Sequence, residues 1–158
     1  LDYECELAVV LGRDARDVPA GQTRDYIFGY TILNDVSARD VQTAHKQWYF
    51  GKSLDGFTPI GPCIVTADAF ADYPPRLGIR SFVNGEKRQD SNTALQIFDI
   101  DHVIAELSQG MTLKAGTIIA TGTPAGVGMG MDPPQFLKPG DVVRCEIEGI
   151  GTLTNLVE

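Results

Sequence analysis

Acidic side chains carry the first chemistry in this chain. Glu4 and Glu6 stand one residue apart, ahead of the run Leu7-Ala8-Val9-Val10-Leu11. The stretch 4–11 reads as a strand. Alternation sets Glu4, Glu6, Ala8 and Val10 on one face and Cys5, Leu7, Val9 and Leu11 on the other. Residues i and i+2 of a strand lie roughly 6.5 to 7 Å apart, so both carboxylates can converge on one cation. The face turns apolar at Ala8, which half-buries the acids. Half-buried like charges need a proton or a cation between them. The solvated face of an edge strand accounts for the pair equally well.

A second acid sits at a strand end. The apolar, β-branched run Tyr30-Thr31-Ile32-Leu33 leads into Asn34-Asp35-Val36-Ser37-Ala38-Arg39-Asp40, with Gln42 two residues on. Asp35 stands where the apolar run stops, so its carboxylate projects from a rigid element. It is a candidate third ligand. Oxygen donors without His or Cys suit a hard cation. Lys52, in Gly51-Lys52-Ser53, is either a site cation or a solvated loop lysine. The triplet is not the end of a phosphate-binding P-loop, because position 46 is Lys rather than Gly. His45 is a site residue or an exposed one, and His102 reads as structural. The chain has no G-x-S-x-G elbow and no spacing that pairs Cys with His, so covalent serine or cysteine catalysis is unsupported.

The elements that must position these groups follow from punctuation and period. Thr23 to Phe28 is predicted as a short helix, broken by Gly29 before a strand over 30–36. A helical turn follows at 38–43, then an irregular stretch over 44–58 that holds Trp48. Strands are expected at 61–66 and 77–83. Asn84-Gly85 marks a hairpin, with a return strand from Glu86 that fades at Asp90. Asp101 is expected to cap a helix through Gln109 that turns Val103, Ile104 and Leu107 to one side. A buried strand over 117–121 precedes Gly122-Thr123-Pro124-Ala125-Gly126-Val127-Gly128. Those glycines do not fit G-x-G-x-x-G. They are read as a structural loop or as a turn whose amides, with the Thr121 and Thr123 hydroxyls, face a ligand carboxylate. Strands 141–147 and 152–157 close the chain as a hairpin.

Composition narrows the classes. The 158 residues suffice for one domain with a real core. The net charge of −8 offers no basic footprint for nucleic acid or an anionic membrane. No apolar run approaches the ~20 residues of a membrane span. Without a signal pattern, a cytoplasmic location is expected. Cys5, Cys63 and Cys145 lack C-x-x-C spacing and are expected as buried, reduced thiols. The chain opens at Leu1 inside strand-like sequence, so an upstream segment is expected.

Together these motifs resemble one family. Glu4-x-Glu6-Leu7-Ala8, the 34–40 block with Gln42, Gln47-Trp48, Gly51-Lys52-Ser53, Val83-Asn84-Gly85-Glu86, Ser91-Asn92-Thr93, the 121–128 stretch and Phe136-Leu137-Lys138-Pro139-Gly140-Asp141 are similar to the fumarylacetoacetate hydrolase superfamily. The likeness runs from Tyr3 to about Asn155 and is nearest to its single-domain bacterial and mitochondrial members. It implies an α+β, β-dominated roll or sandwich over 1–158, working as a homodimer.

The resemblance also implies Mg2+, with Ca2+ or Mn2+ as alternatives, held by Glu4, Glu6 and Asp35. Lys52 matches the active-site lysine. Arg39 and Gln42 match positions near the substrate, and Thr123, beside Gly122, matches a carboxylate-binding threonine. Asp40 reads as structural. The implied activity is hydrolysis of a C–C bond in small 2,4-dioxo acids through a metal-stabilised enolate. Isomerisation, decarboxylation or keto–enol tautomerisation of related 2-oxo acids is the alternative. A catalytically silent metal-binding protein is the reading from another class. Family members carry a water-activating His and Glu upstream of the first metal ligand, and neither His45 nor His102 matches that motif.

Overall fold

The computed structural model describes residues 1–158, apart from the His45 side chain, so the expectation for that group lies outside the described residues. Eight strands form two antiparallel sheets: β1 Cys5–Leu11, β2 Ile27–Asn34, β3 Ile60–Thr66, β4 Gly78–Val83, β5 Glu86–Asn92, β6 Ile118–Ala120, β7 Val142–Ile147 and β8 Gly151–Leu156. Their orders are β3-β2-β1-β6 and β5-β4-β7-β8. Two short helices, α1 Arg39–His45 and α2 Ile100–Ser108, and several 3-10 turns complete the fold. The β-dominated α+β architecture is the expected one.

Alternation builds the core. Cys5, Leu7, Val9 and Leu11 of β1, with Tyr30 and Ile32 of β2, are buried in one apolar cluster with Ile79 of β4 and Val143, Cys145 and Ile147 of β7. The Glu face of β1 is left for the site. Register decides what meets there. Cys5 pairs with Asn34 and Glu6 with Leu33. Pairing continues past both strand ends: Asp35 N–H donates to the Glu4 carbonyl at 2.9 Å, and Asp2 and Ser37 exchange bonds of 2.9 and 3.0 Å. The β1–β2 ladder therefore carries Asp35 to Glu4.

Several boundaries differ from the expectation. Residues 23–26 form a 3-10 turn, and β2 starts at Ile27 and runs through Gly29. Gly29 is a close-approach position rather than a breaker, since a Cβ there would collide with the Val65 carbonyl of β3. Helix α2 is capped by Asp99, whose Oδ1 accepts from His102 N–H at 2.8 Å. Asp101 points instead to Gly21 N–H at 2.7 Å and Thr23 Oγ1 at 2.5 Å. The buried side of α2 is Ile100, Ile104, Ala105 and Ser108, with Leu107 exposed. Strand β5 continues to Asn92. All three cysteines are free, but only Cys5 and Cys145 are buried, because β3 is an edge strand that exposes Cys63.

Candidate metal and carboxylate site

One carboxylate oxygen each from Glu4, Glu6 and Asp35 lies within 4.8 Å of the others. Glu4 and Glu6 are buried and Asp35 is half-buried. They line a cavity of about 580 Å3 together with Arg39, Gln42, Trp48, Lys52, Gly122 and Thr123. The structure thus brings Glu4, Glu6, Asp35, Arg39, Gln42, Lys52, Gly122 and Thr123 to one cavity, whereas Thr121 does not line it.

The charges around the three acids are unequal. Lys52 Nζ reaches Glu4 Oε2 at 2.8 Å, Asp35 Oδ2 at 2.5 Å and Ser37 Oγ at 3.0 Å. Arg39 Nη2 reaches Glu4 Oε1 at 2.7 Å. Glu6 has no cationic partner within salt-bridge distance among the described residues; its Oε2 accepts the Gly122 N–H at 2.8 Å. Burial, chiefly, with the Asp35 and Glu4 charges adding to it, pushes the Glu6 carboxyl up to about 7. Burial pulls Lys52 the other way, yet its bonds to Asp35 and Glu4 outweigh that and hold its ammonium above the ordinary lysine range.

This donor set fits a hard divalent cation. It offers oxygen ligands only, from converging and partly buried carboxylates. At neutral pH Glu6 is about half ionised, and the Gly122 N–H and the more distant Lys52 charge only partly offset the charge it carries.

Lys52 is placed by packing. A Cβ on Gly51 would meet the Gln42 backbone N and Cβ at 2.8 Å, so glycine lets the 3-10 turn Phe50–Lys52 pack on α1. The Ala38 N–H donates to the Gly51 carbonyl at 2.8 Å. Arg39 opens α1 five residues past Asn34, the last of β2. Its Nη1 donates to Gln42 Oε1 at 3.1 Å, which leaves the Gln42 amide nitrogen without a protein partner among the described residues.

Two expected donors are used internally. Thr123 Oγ1 donates to the Cys5 carbonyl at 3.0 Å and accepts from Gln89 Nε2 at 2.8 Å. The Thr121 hydroxyl donates to the Leu7 carbonyl at 2.7 Å. The backbone N–H of Thr123 makes no hydrogen bond among the described residues, which leaves it a free donor on a residue that lines the cavity. The glycine loop does hold a carboxylate, but it belongs to Asp2 of the chain itself. Gly128 and Met129 N–H donate to Asp2 Oδ1 and Oδ2 at 2.7 and 2.9 Å.

Asp2 and Gln89 were missed from sequence. Asp2 was within reach, because extending the Glu6–Glu4 alternation one step back lands on it. Gln89 is 1% exposed and accepts the Cys5 N–H through Oε1 at 3.2 Å. Its only signal was an uncharged residue within Glu86-Lys87-Arg88-Gln89-Asp90.

Comparison with known proteins places the whole chain. The family model described as Fumarylacetoacetate (FAA) hydrolase C-terminal matches residues 1–158. The oxaloacetate tautomerase YisK of Bacillus subtilis is 50% identical over 157 residues, covering 99% of this chain and 52% of that protein. The chain spans about half the length of the curated relatives it matches. Among solved structures, the fumarylacetoacetate hydrolase of psychrophilic Exiguobacterium antarcticum superposes with a TM-score of 0.96 at 52% identity, over 100% of this chain and 56% of that one. A 2-hydroxyhepta-2,4-diene-1,7-dioate isomerase from Mycobacterium marinum superposes with a TM-score of 0.87 at 48% identity, over 98% and 57%.

Proposed function

From the membership of this chain in the fumarylacetoacetate (FAA) hydrolase C-terminal family, we propose that it is a divalent-metal-dependent enzyme that enolises small 2-oxo acids. The observation that carries this reading is the convergence of three carboxylate oxygens within 4.8 Å beside Lys52 and Arg39.

Glu4, Glu6 and Asp35 would hold the cation, with Mg2+ first and Ca2+ or Mn2+ as alternatives. Once bound, such an ion supplies a Lewis acid to the 2-oxo oxygen. The chain's own groups do the rest. Lys52 Nζ brings a second positive charge to the place where enolate charge develops. The Thr123 N–H and the Gln42 amide orient the substrate carboxylate. Arg39 fixes Glu4 and Gln42 in place.

Two outcomes of an enolate are read in order. Proton transfer at the carbon beside the 2-oxo group, as tautomerisation or isomerisation, is first; the relatives named oxaloacetate tautomerase and dienedioate isomerase favour it. Hydrolysis of a C–C bond in 2,4-dioxo acids is second, favoured by the fumarylacetoacetate hydrolase with a TM-score of 0.96. Assembly as a homodimer belongs to the same reading. Light scattering checks the mass.

Calorimetry tests the metal reading. Asp35→Ala should abolish Mg2+ binding, and undiminished affinity would sink the assignment. Acylpyruvates, oxaloacetate and 2-hydroxymuconate-type diacids, assayed with Mg2+, separate the two reactions.

A further inference from the structure

A second hollow of about 460 Å3 opens beside the carboxylate cavity, walled mainly by Leu95, Ile97, Phe98 and Val103, with the uncharged polar Asn92 and Gln96 also in its lining. Gly122 and Thr123 line both spaces. Gly122 forms the join. Its N–H is bonded to Glu6, and a Cβ built on it would meet nothing within 4 Å, so no side chain stands at the position the two hollows share. The 95–98 segment is tied to the same point, because Gln96 Nε2 donates to Thr121 Oγ1 at 2.8 Å. Phe98 is backed by the His102 ring, stacked at 4.7 Å.

The two spaces differ in charge. Arg39 and Lys52 line the first, whereas no Lys, Arg or His among the described residues lines the second. Leu95, Ile97 and Phe98 are 75%, 92% and 61% exposed. Three neighbouring large apolar side chains left in water favour contact with something apolar, at about 25 cal/mol per Å2 covered. A second carboxylate placed there would lose hydration without gaining a counter-charge. The acid next in the chain, Asp99, is a helix cap and adds negative charge.

We propose that this second hollow is a subsite for the uncharged, apolar far end of a 2-oxo acid, so the protein selects alkyl- or aryl-bearing 2-oxo acids over dicarboxylates. The proposal rests on the reading of the first cavity as a metal-dependent 2-oxo-acid site. It sets this chain apart from a preference for oxaloacetate.

Binding to the Mg2+-loaded protein tests it with three probes: pyruvate, oxaloacetate and 2,4-dioxo-4-phenylbutanoate. The phenyl compound should bind roughly tenfold or more tighter than pyruvate, and oxaloacetate no tighter than pyruvate. Leu95→Arg, at an exposed position that the fold tolerates, should raise oxaloacetate affinity and lower that of the phenyl compound. Oxaloacetate binding as tightly as the phenyl compound, or an unchanged ratio in Leu95→Arg, overturns the subsite. A change of oligomeric mass in that variant with an unchanged ratio assigns the segment to an interface between copies and overturns it too. Mg2+-dependent binding of none of the three probes defeats the underlying 2-oxo-acid reading instead, and the subsite with it.

Discussion

Asp2 and Arg39 form a buried ion pair, Nε to Oδ2 at 3.0 Å, at the meeting point of three segments. The Asp2 side chain is fully buried and also accepts from the N–H groups of Tyr3, Gly128 and Met129. The same Arg39 grips Glu4. One carboxylate therefore ties the glycine loop, the start of α1 and the first metal-ligand candidate together.

Asp2→Asn keeps the shape but turns one accepting atom into a donor facing N–H groups. It should cost about 3 kcal/mol of stability, the scale for breaking a buried pair. Amide exchange at Gly128 and Met129 should speed up. Wild-type melting and exchange would show that the pair holds nothing.

Glu6 makes the metal-free protein pH-sensitive. Its folded-state pKa of about 7 lies above the ordinary 4.5, so the protonated form favours the native state. That contribution is complete below about pH 4.5 and is lost as pH rises through about 7, amounting to on the order of 3 kcal/mol. With chelator present, Glu6→Gln should raise the melting temperature at pH 8 and leave it nearly unchanged at pH 5. A parallel shift at both pH values would rule this account out.

The same proton competes with the metal. Mg2+ affinity of the wild type should fall by about tenfold per pH unit below about 7 as Glu6 is protonated. Titration calorimetry in buffers of different ionisation enthalpy would detect the released proton. Affinity flat from pH 5.5 to 8 would exclude Glu6 as a ligand.

Lys52→Ala removes the one ammonium that bridges Glu4 and Asp35. Turnover should drop by about 100-fold or more. Mg2+ binding should persist or tighten, because the Glu4 and Asp35 oxygens that Lys52 held are freed for the cation. Unchanged turnover with metal bound removes Lys52 from the chemistry.

Gly128→Ala tests the loop that cradles Asp2. A Cβ there would collide with the Gln135 carbonyl and come within 2.9 Å of Asp2 Oδ1. A loss of about 2 to 3 kcal/mol is expected, read by denaturant unfolding. A neutral result would mean the loop relaxes freely.

Much of this was written along the chain, because strand periodicity is local. Alternation over 4–11 and the apolar run before Asp35 place the acids at strand ends and on one face, whatever packs around them. Asn84-Gly85 sets the β4–β5 turn by backbone preference alone, and the oxygen-only ligand set follows from residue type. The partners of those groups are long-range. Antiparallel register brings Asp35 to the Glu4 carbonyl, and only that pairing sets the three carboxylates within reach of one ion. Thr123 offered a hydroxyl in sequence, and packing against β1 spent it on Cys5, leaving the backbone N–H. The glycine loop advertised free amides, and the fold turned two of them onto Asp2. Residue types and strand faces are properties of neighbouring positions; which donors remain available is settled by contacts such as Met129 N–H to Asp2, 127 residues apart in the chain, which no local pattern encodes.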